Sequence, residues 1–337
     1  MTADQRVRAV EPTERRSWEA VRLMADHPPR WTNPNKQVVF DIACSTGSPV
    51  AGRIEYSRWP ELPLPERILQ LGPTVVSQAP GFYPYAAEPE LPGAVAWHVN
   101  FAAWELFGWY AGGSAAQDEL QVAEHPVLAS IREALLAEGA VARTVVAGRP
   151  TPVLVRGAER RVRIDTQPDA AAGRPDGIYG RHFPSATTAV VARATTRIDP
   201  PTISNILAIA AINHRGGEYT ADQIAWTLST AYSGFRAAVL EARTVVGATA
   251  IIIHTGHWGG GAFGGDRVLM AILQLAAASL AGVDRLVYHE GFSEGVEPSG
   301  GPVTEARRRF ADLIPEDGTG TAALIEDLAG LGFRWRD

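Results

Sequence analysis

The sequence predicts an α/β protein in which a mixed or parallel central sheet is layered between helices. Short apolar runs, nearly continuous and rich in β-branched residues, are typical of strands that are buried on both faces. Longer segments with helical spacing of apolar residues separate these runs, as in layered α/β domains. The chain has 337 residues, 46% hydrophobic and 20% charged. It is therefore long and apolar enough to bury a full core.

The chain divides into a short N-terminal extension and one large domain. Residues 1–36 are charged and then proline-rich, and we predict a short helix and a linker there. Residues 37–337 are predicted to form the main domain with its accessory elements. The runs predicted to be strands in this domain are, in chain order, QVVFDIA, PTVVSQA, AVAWHVNFA, TTAVVARAT, ILAIAAIN, ATAIIIHTG and DRLVYHE.

Four segments carry the spacing of amphipathic helices. In the first of them, the proline after His125 predicts a kink. A stretch rich in Arg, Gly and Pro over residues 156–186 predicts a strand followed by a long surface loop. The predicted helices are DELQVAEHPVLASIREALLAEG, TADQIAWTLSTAYSGFRAAVLEA, DRVLMAILQLAAASLAG and GPVTEARRRFADLI.

Composition and charge exclude several classes of function. The formal net charge of -6 has the wrong sign for general binding to duplex nucleic acid. A single cysteine, Cys44, allows neither an internal disulfide nor a thiolate zinc site. Lys36 is the only lysine and follows no glycine-rich loop, so a P-loop is excluded. The charged N-terminus and the lack of a membrane-length apolar stretch predict a cytoplasmic protein, and the arginine-rich composition is typical of a G+C-rich bacterial genome.

A glycine-rich loop reading TGHWGGGAFGGD, residues 255–266, lies between an apolar strand and a helix. Glycine at this density allows backbone N–H groups to approach a ligand, and the helix start adds further donors and a positive dipole. We therefore expect the loop to bind a phosphate or diphosphate, with Asp266 as the helix N-cap. The alternative is a flexible turn whose glycines only permit close packing.

A second motif places two carboxyl groups at the start of a helix. The sequence Gln117-Asp118-Glu119 follows an aromatic and glycine-rich loop that ends at Gly113, and Asn100 lies at the end of the preceding strand. Two adjacent carboxyl groups in a cleft are suited to general acid and base chemistry. The alternative is that they only complement the helix dipole.

Together, these two motifs resemble those of the poly(ADP-ribose) glycohydrolase-like family in the macrodomain superfamily. That family has a glycine turn leading into Gln-Glu-Glu and a distant loop reading TGNWGCGAFGGD. The loop here differs only at His257 and Gly260, whereas Asp118 replaces one glutamate and Ala103 replaces an asparagine. The resemblance spans roughly residues 94–292. It implies a three-layer α/β/α fold with a mixed sheet.

The resemblance also implies a function and a set of site residues. The protein would be a hydrolase that releases ADP-ribose from an ADP-ribosylated polymer, protein or nucleic acid, without a cofactor or metal. Glu119 would act as general acid and base at the glycosidic bond, and Asp118 would hold the ribose hydroxyls. The residues implied to contact the ligand are Asn100, Gly112, Gly113, Gln117, Thr255, Gly256, Trp258, Gly260, Gly261, Ala262, Phe263 and, at the adenine, Phe292.

Two other functions remain open at the level of sequence. A module that binds ADP-ribose without cleaving it is favoured by the short glycine turn and by Ala103. An NAD-dependent oxidoreductase is compatible with Gly259, Gly261 and Gly264, which read G-x-G-x-x-G. It is disfavoured because no Tyr-x-x-x-Lys motif occurs. The acceptor of the ADP-ribose and the oligomeric state are not predicted.

Overall fold

The computed structural model describes residues 10–45, 50–71, 74–86, 90–291 and 301–337. Most of the apolar runs form strands, as expected for chain that is buried within a sheet. Within these residues the strands are β1 (Glu14–Glu19), β2 (Arg53–Arg58), β3 (Arg67–Ile68), β4 (Val75–Ala79), β5 (Val95–Ala102), β6 (Val145–Val146), β7 (Arg149–Pro150), β8 (Val153–Ile164), β9 (Thr195–Ala210), β10 (Ile251–Gly256), β11 (Arg285–His289) and β12 (Thr319–Gly320).

The helices include all four segments that were predicted from apolar spacing. None of the helices among the described residues combines the length and apolar character that crossing a membrane requires. They are α1 (Ala20–Asp26), α2 (Pro34–Ala43), α3 (Gln117–Glu124), α4 (Val127–Ala137), α5 (Thr188–Ala194), α6 (Ala221–Ala242), α7 (Arg267–Ala281), α8 (Pro302–Leu313) and α9 (Thr321–Gly330).

Eight strands form one mixed sheet in the order β1-β2-β8-β9-β5-β10-β11-β4. The strands β9, β5, β10, β11 and β4 run parallel to one another. The strands β8, β2 and β1 continue the sheet through antiparallel pairs. The sheet is therefore mixed, as the sequence predicts.

Helices cover both faces of this sheet. On β9, Leu207 and Ile209 belong to the core that packs under α6, α7, α8 and α9, whereas Ile206 and Ala208 belong to the core under α1 and α4. This alternation follows from the period of two along a strand. It explains why the run reads as continuously apolar. The three-layer α/β/α fold is confirmed.

Two runs that the sequence analysis predicts to be strands are helices, and capping residues explain both differences. The run QVVFDIA lies in α2, which Asn33 caps by accepting a hydrogen bond from the Asn35 N–H at 2.9 Å. The run TTAVVARAT lies in α5, where the Thr187 hydroxyl accepts from the Val190 N–H at 3.3 Å. Each cap satisfies an N–H that would otherwise lack a partner, so a helix is favoured in a β-branched run.

The N-terminal segment is built into the main sheet. β1 pairs with β2, with Glu14 opposite Arg58, and so forms one edge of the sheet. The boundary predicted after residue 36 falls inside α2, because Pro34 starts that helix. α2 packs against α3 and α5. The segment therefore reaches the helix that carries the Gln-Asp-Glu motif.

The predicted kink at the proline is a break between two helices. α3 ends at Glu124 and α4 begins at Val127. At the break, His125 is completely buried, and its ring nitrogens lie 2.8 Å from the Gln121 carbonyl oxygen and 3.0 Å from the Ser204 hydroxyl. His125 thus connects the end of α3 to β9.

Candidate functional site

The two sequence motifs lie at the same edge of the sheet. β5 and β10 are adjacent and parallel, with His98 opposite His254, so both strands end at this edge. Carboxyl ends of parallel strands are where ligands bind in open α/β sheets. At Gly256, a Cβ would lie 2.5 Å from the His289 carbonyl oxygen and 3.5 Å from the Phe101 ring. Glycine is therefore required there for the ends of β5, β10 and β11 to meet.

Side-chain amides attach the first turn of α3 to the end of β5. The Gln117 side chain accepts a hydrogen bond from the Phe101 N–H at 2.8 Å and donates one to the Val99 carbonyl at 3.0 Å. Asn100 is completely buried and donates to the Asp118 carbonyl at 3.4 Å. Both residues therefore position the helix. The Asn100 Oδ1 atom has no hydrogen-bond partner within the described part of the chain.

Asp118 and Glu119 form a partly buried carboxyl pair at the start of α3. Glu119 is 7% exposed, and its Oε2 atom accepts a hydrogen bond from the Ala116 N–H at 2.5 Å. This is the reciprocal contact of a capping box, made by the third helical residue. Burial and the adjacent Glu119 carboxylate raise the pKa of Asp118 to about 7. Protons on such neighbours belong to the pair, so the pair can retain one proton near neutral pH.

Lys36 reaches this carboxyl pair from α2, although the sequence analysis gives it no role. Its side chain is buried, and its Nζ atom donates a hydrogen bond to the Tyr110 carbonyl at 2.8 Å. Burial lowers the pKa of Lys36 to about 8, while the charges of Glu119 and Asp118 act to raise it. The signal in the sequence is that Lys36 is the only lysine. Its separation of about 80 residues from the pair conceals the contact.

The glycine turn before α3 packs against the N-terminal segment. The Asn33 N–H donates to the Ala111 carbonyl at 3.2 Å. A Cβ at Gly113 would lie 3.2 Å from Pro184 and 3.4 Å from the Asn33 side chain, so packing restricts this position. A Cβ at Gly112 would have its closest contact at 3.6 Å. Gly112 is therefore the glycine of this turn with room for a ligand beside it.

Two aromatic rings lie near the carboxyl pair, and the sequence analysis predicts neither. Phe82 follows β4 and stacks on Tyr179 with ring centroids 5.3 Å apart and planes 22° apart. Burial and the nearby Asp118 charge raise the pKa of Tyr179 to about 12, so the phenol stays neutral at physiological pH. Stacked rings of this kind suit contact with a sugar or a base. Phe292, the aromatic residue implied at the adenine, lies outside the described residues.

Most glycines of the loop between β10 and α7 are required by packing. A Cβ at Gly259 would lie 2.5 Å from Met270, and at Gly264 and Gly265 the closest atoms would be 2.6 and 2.7 Å away. Such contacts match the close-packing alternative for these three positions. Gly261 differs because a Cβ there would meet no atom within 4 Å. Packing therefore does not explain the glycine at this position.

Arginines hold the carbonyl groups of the same loop. The Arg336 guanidinium donates to the Gly261 carbonyl at 3.0 Å and also to the Gly260 carbonyl. Arg215 donates to the Ala262 carbonyl. Three successive carbonyl groups therefore point toward arginine side chains on the outside of the loop.

The amides of the loop point the other way. In a trans peptide, the C=O and the following N–H are directed oppositely. The N–H groups of Gly261, Ala262 and Phe263 therefore face away from the arginines, and none of them makes a hydrogen bond to any residue that the structure describes. Successive N–H groups without partners form a concave anion site. This geometry is suited to a phosphate or diphosphate.

The helix that follows the loop uses its own cap. Asp266 accepts hydrogen bonds from the Val268 and Leu269 N–H groups, both at 2.9 Å. The predicted N-cap is confirmed. Because these two N–H groups are already paired, the anion donors at this site are the loop amides rather than the first turn of α7.

Two residues implied as ligand contacts have their side chains inside the protein. The Trp258 indole is completely buried and donates to the Ile209 carbonyl at 3.1 Å. Thr255 is also completely buried, and its hydroxyl donates to Gln274, whose amide donates to the Gly256 carbonyl at 3.1 Å. These side chains fix the end of β10 and the loop, so direct contact with a ligand would need their backbone.

Histidines form a buried layer beneath the site. His254 Nδ1 lies 3.0 Å from His289 Nε2, and the His98 and His254 rings stack with centroids 4.6 Å apart. Burial lowers the pKa of His289 to about 4 and that of His254 to about 3. Among the residues that the structure describes, no group of three His, Cys, Asp or Glu side chains could hold a metal ion. The histidines are therefore neutral packing groups.

Comparison with known proteins agrees with this geometry. Residues 179–295 match the family model of poly(ADP-ribose) glycohydrolase, macro domain fold. The match confirms the predicted resemblance. It includes β10, the glycine loop, α7 and β11, whereas the carboxyl pair lies before the matched poly(ADP-ribose) glycohydrolase segment. It also disfavours the NAD-dependent oxidoreductase alternative.

Solved structures of poly(ADP-ribose) glycohydrolases are similar to this chain at low identity. The enzyme from Thermomonospora curvata is 15% identical, with 88% of this chain and 85% of that chain covered and a TM-score of 0.44. Its form bound to the inhibitor ADP-HPD is 13% identical, with coverage of 87% and 96% and a TM-score of 0.44. The enzyme from Deinococcus radiodurans in complex with ADP-ribose is 13% identical, with coverage of 88% and 94% and a TM-score of 0.39. No curated protein matches the sequence.

Proposed function

We propose that the protein is a hydrolase that releases ADP-ribose from an ADP-ribosylated macromolecule by cleaving a glycosidic bond. The observation that carries this proposal is the juxtaposition of two features at one edge of the sheet. One is the row of three N–H groups without partners at Gly261, Ala262 and Phe263. The other is the partly buried pair of Asp118 and Glu119. The family match over residues 179–295 supports the same reaction class.

Each part of ADP-ribose has a counterpart in this arrangement. The diphosphate accepts hydrogen bonds from the three loop amides, and the absence of a Cβ at Gly261 lets it approach the backbone. The distal ribose then lies toward the carboxyl pair, and the stacked rings of Phe82 and Tyr179 contact the sugar or base. The contact between Phe292 and the adenine stays a prediction.

The carboxyl pair supplies the proton that cleavage requires. With one proton on the pair, Glu119 donates to the leaving atom at the anomeric carbon, and an oxocarbenium-like transition state develops. Glu119 then accepts a proton from the attacking water, which restores the starting state. One oxygen of Glu119 accepts from the Ala116 N–H, which leaves the other oxygen for the substrate. Asp118 holds the ribose hydroxyls and shares the proton.

A second function, recognition of ADP-ribose without cleavage, is favoured by one specific observation. The hydrogen bond from Ala116 gives the Glu119 carboxylate a structural role as part of a capping box. A residue needed for helix capping can be retained without any role in proton transfer. The two functions share the phosphate site and differ in whether Glu119 donates a proton.

The deciding experiment is an assay of ADP-ribose release from a panel of conjugates. The panel contains poly(ADP-ribose), proteins modified at carboxylate, hydroxyl or guanidinium groups, and ADP-ribosylated nucleic acid. Free ADP-ribose is measured by chromatography, and its binding is measured by calorimetry. Release from at least one conjugate supports the hydrolase. Binding without release from any conjugate supports the recognition module, and the absence of binding at millimolar ADP-ribose contradicts both. The cytoplasmic and bacterial origin inferred from the sequence remains a prediction.

A further inference from the structure

The only lysine of the chain lies in a position that burial makes costly. Lys36 is 1% exposed, and its Nζ atom has one hydrogen-bond acceptor, the neutral Tyr110 carbonyl at 2.8 Å. An ammonium group removed from water is unfavourable unless an opposite charge compensates it. The charges that act favourably on Lys36 are those of Glu119 and Asp118.

The position of Lys36 is fixed by contacts on its own helix. The Asn35 side chain donates to the Phe183 and Ala186 carbonyls at 2.8 and 2.9 Å. Asn33 caps the helix and its backbone N–H binds the glycine turn at Ala111. These bonds attach α2 to the loops on either side of α3. The ammonium group is therefore held close to the carboxyl pair and not free to swing into water.

The charges around the pair match when it carries one proton. One ammonium balances one carboxylate, so two carboxylates leave an excess negative charge and two protonated carboxyl groups leave Lys36 unpaired. The groups that face the pair from neighbouring elements are Lys36 from α2, Asn100 from β5 and Tyr179 from the loop before α5. Tyr179 and Asn100 are neutral near pH 7, so Lys36 supplies the positive charge.

We propose that Lys36 is a positioning residue that keeps one carboxyl group of the Asp118–Glu119 pair ionised while the other retains its proton. It touches neither the substrate nor the reacting bond, and it acts through the pair. The N-terminal segment thereby completes the site that lies on the rest of the chain. The role of this charge in catalysis rests on the proposed function, but the charge coupling itself is a property of the free protein.

The first test measures the coupling without any substrate. We would follow the Asp118 and Glu119 carboxyl carbons by ¹³C NMR during a pH titration of the wild type, Lys36→Met and Lys36→Arg. Loss of an opposite charge in Lys36→Met should raise the pKa of Asp118 by about one unit or more. Lys36→Arg retains the charge and should restore most of the wild-type value. Gln37→Met, at an exposed position of the same helix, is the matched control and should leave the titration unchanged.

The second test is reciprocal and does not depend on whether a Lys36 variant folds. Because the chain has one lysine, ¹³C labelling of lysine gives a single side-chain signal. Its pKa should be about 8 in the wild type and lower in Asp118→Asn and Glu119→Gln, because a coupling between two sites acts equally in both directions. An unchanged Lys36 titration in both variants, or an unchanged Asp118 titration in folded Lys36→Met, would overturn the proposal.

Activity measurements then separate this proposal from the proposed function. If wild-type protein releases ADP-ribose, the low-pH limb of the rate profile should move to higher pH in Lys36→Met and return in Lys36→Arg. A merely structural lysine would change the rate without moving this limb. If the wild type releases none, the proposed function fails while both NMR titrations still decide whether Lys36 positions the pair.

Discussion

Glu119 combines two roles that a carboxylate can fill at the start of a helix. It closes the first turn of α3 by accepting from the Ala116 N–H, and it is adjacent to Asp118, whose pKa is raised to about 7. The sequence identifies both residues from the Gln-Asp-Glu motif. It places the acid on Glu119 alone, whereas in the structure the raised pKa is that of Asp118. The difference arises because a shared proton depends on burial and on Lys36, which a local motif does not report.

The pH dependence of the reaction follows from this proton. The pair holds its proton below the raised pKa of Asp118 and loses it as the pH rises through about 7. We therefore expect kcat/KM for ADP-ribose release to fall above about pH 7, as the acid form of the free enzyme disappears. A pH profile at substrate concentrations well below KM tests this. A rate that stays constant up to pH 9 would exclude a proton on this pair as the acid.

The glycine loop shows why spacing alone could not separate its two interpretations. Close packing explains Gly259, Gly264 and Gly265, and an open position explains Gly261. Both interpretations of the loop therefore apply, at different glycines. The sequence predicted five of the seven strand assignments along the chain, but it missed α2 and α5, since the caps at Asn33 and Thr187 outweigh β-branched composition.

Substitution of two loop glycines should separate binding from stability. Gly261→Val enters open space, so the melting temperature should be unchanged while ADP-ribose affinity falls by about tenfold or more, or about 1.4 kcal/mol. Gly259→Val places atoms against Met270 at a positive φ of 70°, so the protein should be destabilised. Calorimetry and thermal unfolding measure both effects. Equal affinity in wild type and Gly261→Val would place the diphosphate elsewhere.

Arg336 should influence ADP-ribose binding without contacting the ligand. Its guanidinium holds the Gly260 and Gly261 carbonyls, and this orients the following N–H groups toward the site. Arg336→Gln should therefore weaken ADP-ribose binding several-fold, because the loop loses preorganisation. Arg334→Gln, which removes an exposed ion pair with Glu218 on the same segment, serves as the control. Equal losses in both variants would indicate a general charge effect.

Across the whole molecule, the site is assembled from segments that are far apart in the sequence. The N-terminal segment supplies Lys36, the loop after β4 supplies Phe82, and the chain near its C-terminus supplies Arg336. The sequence predicts the three-layer fold and the two motifs because periodicity and local spacing carry them. The other contributions depend on which strands are adjacent in the sheet, and this information is absent from local patterns.

The buried histidine layer should make the protein sensitive to acid. The lowered pKa values of His125, His254 and His289, about 3, 3 and 4, mean that these rings take up protons on unfolding below about pH 6.5. The free energy of unfolding should therefore fall as the pH is lowered from 6.5 to 4. Asp118, whose pKa is raised in the folded protein, acts in the opposite direction, but one carboxyl group is outnumbered.

Urea denaturation at several pH values checks this expectation. Each proton taken up on unfolding contributes about 1.4 kcal/mol per pH unit to the slope of stability against pH. Substitution of His254 by Gln removes one such proton and should reduce the slope by about that amount. A stability that is constant between pH 7 and pH 4.5 would contradict the neutral, buried state of the layer.

Comparison of Glu119→Gln with the wild type addresses the proposed hydrolase most directly. Glutamine retains an oxygen that can accept from the Ala116 N–H, so the fold and ADP-ribose binding should survive. It cannot donate the proton, so release of ADP-ribose from a conjugate that the wild type cleaves should fall by at least about 10²-fold. Asp118→Asn should cause a smaller loss. Full activity in folded Glu119→Gln, on the same conjugate and with unchanged binding, would contradict the assignment of proton transfer to this residue.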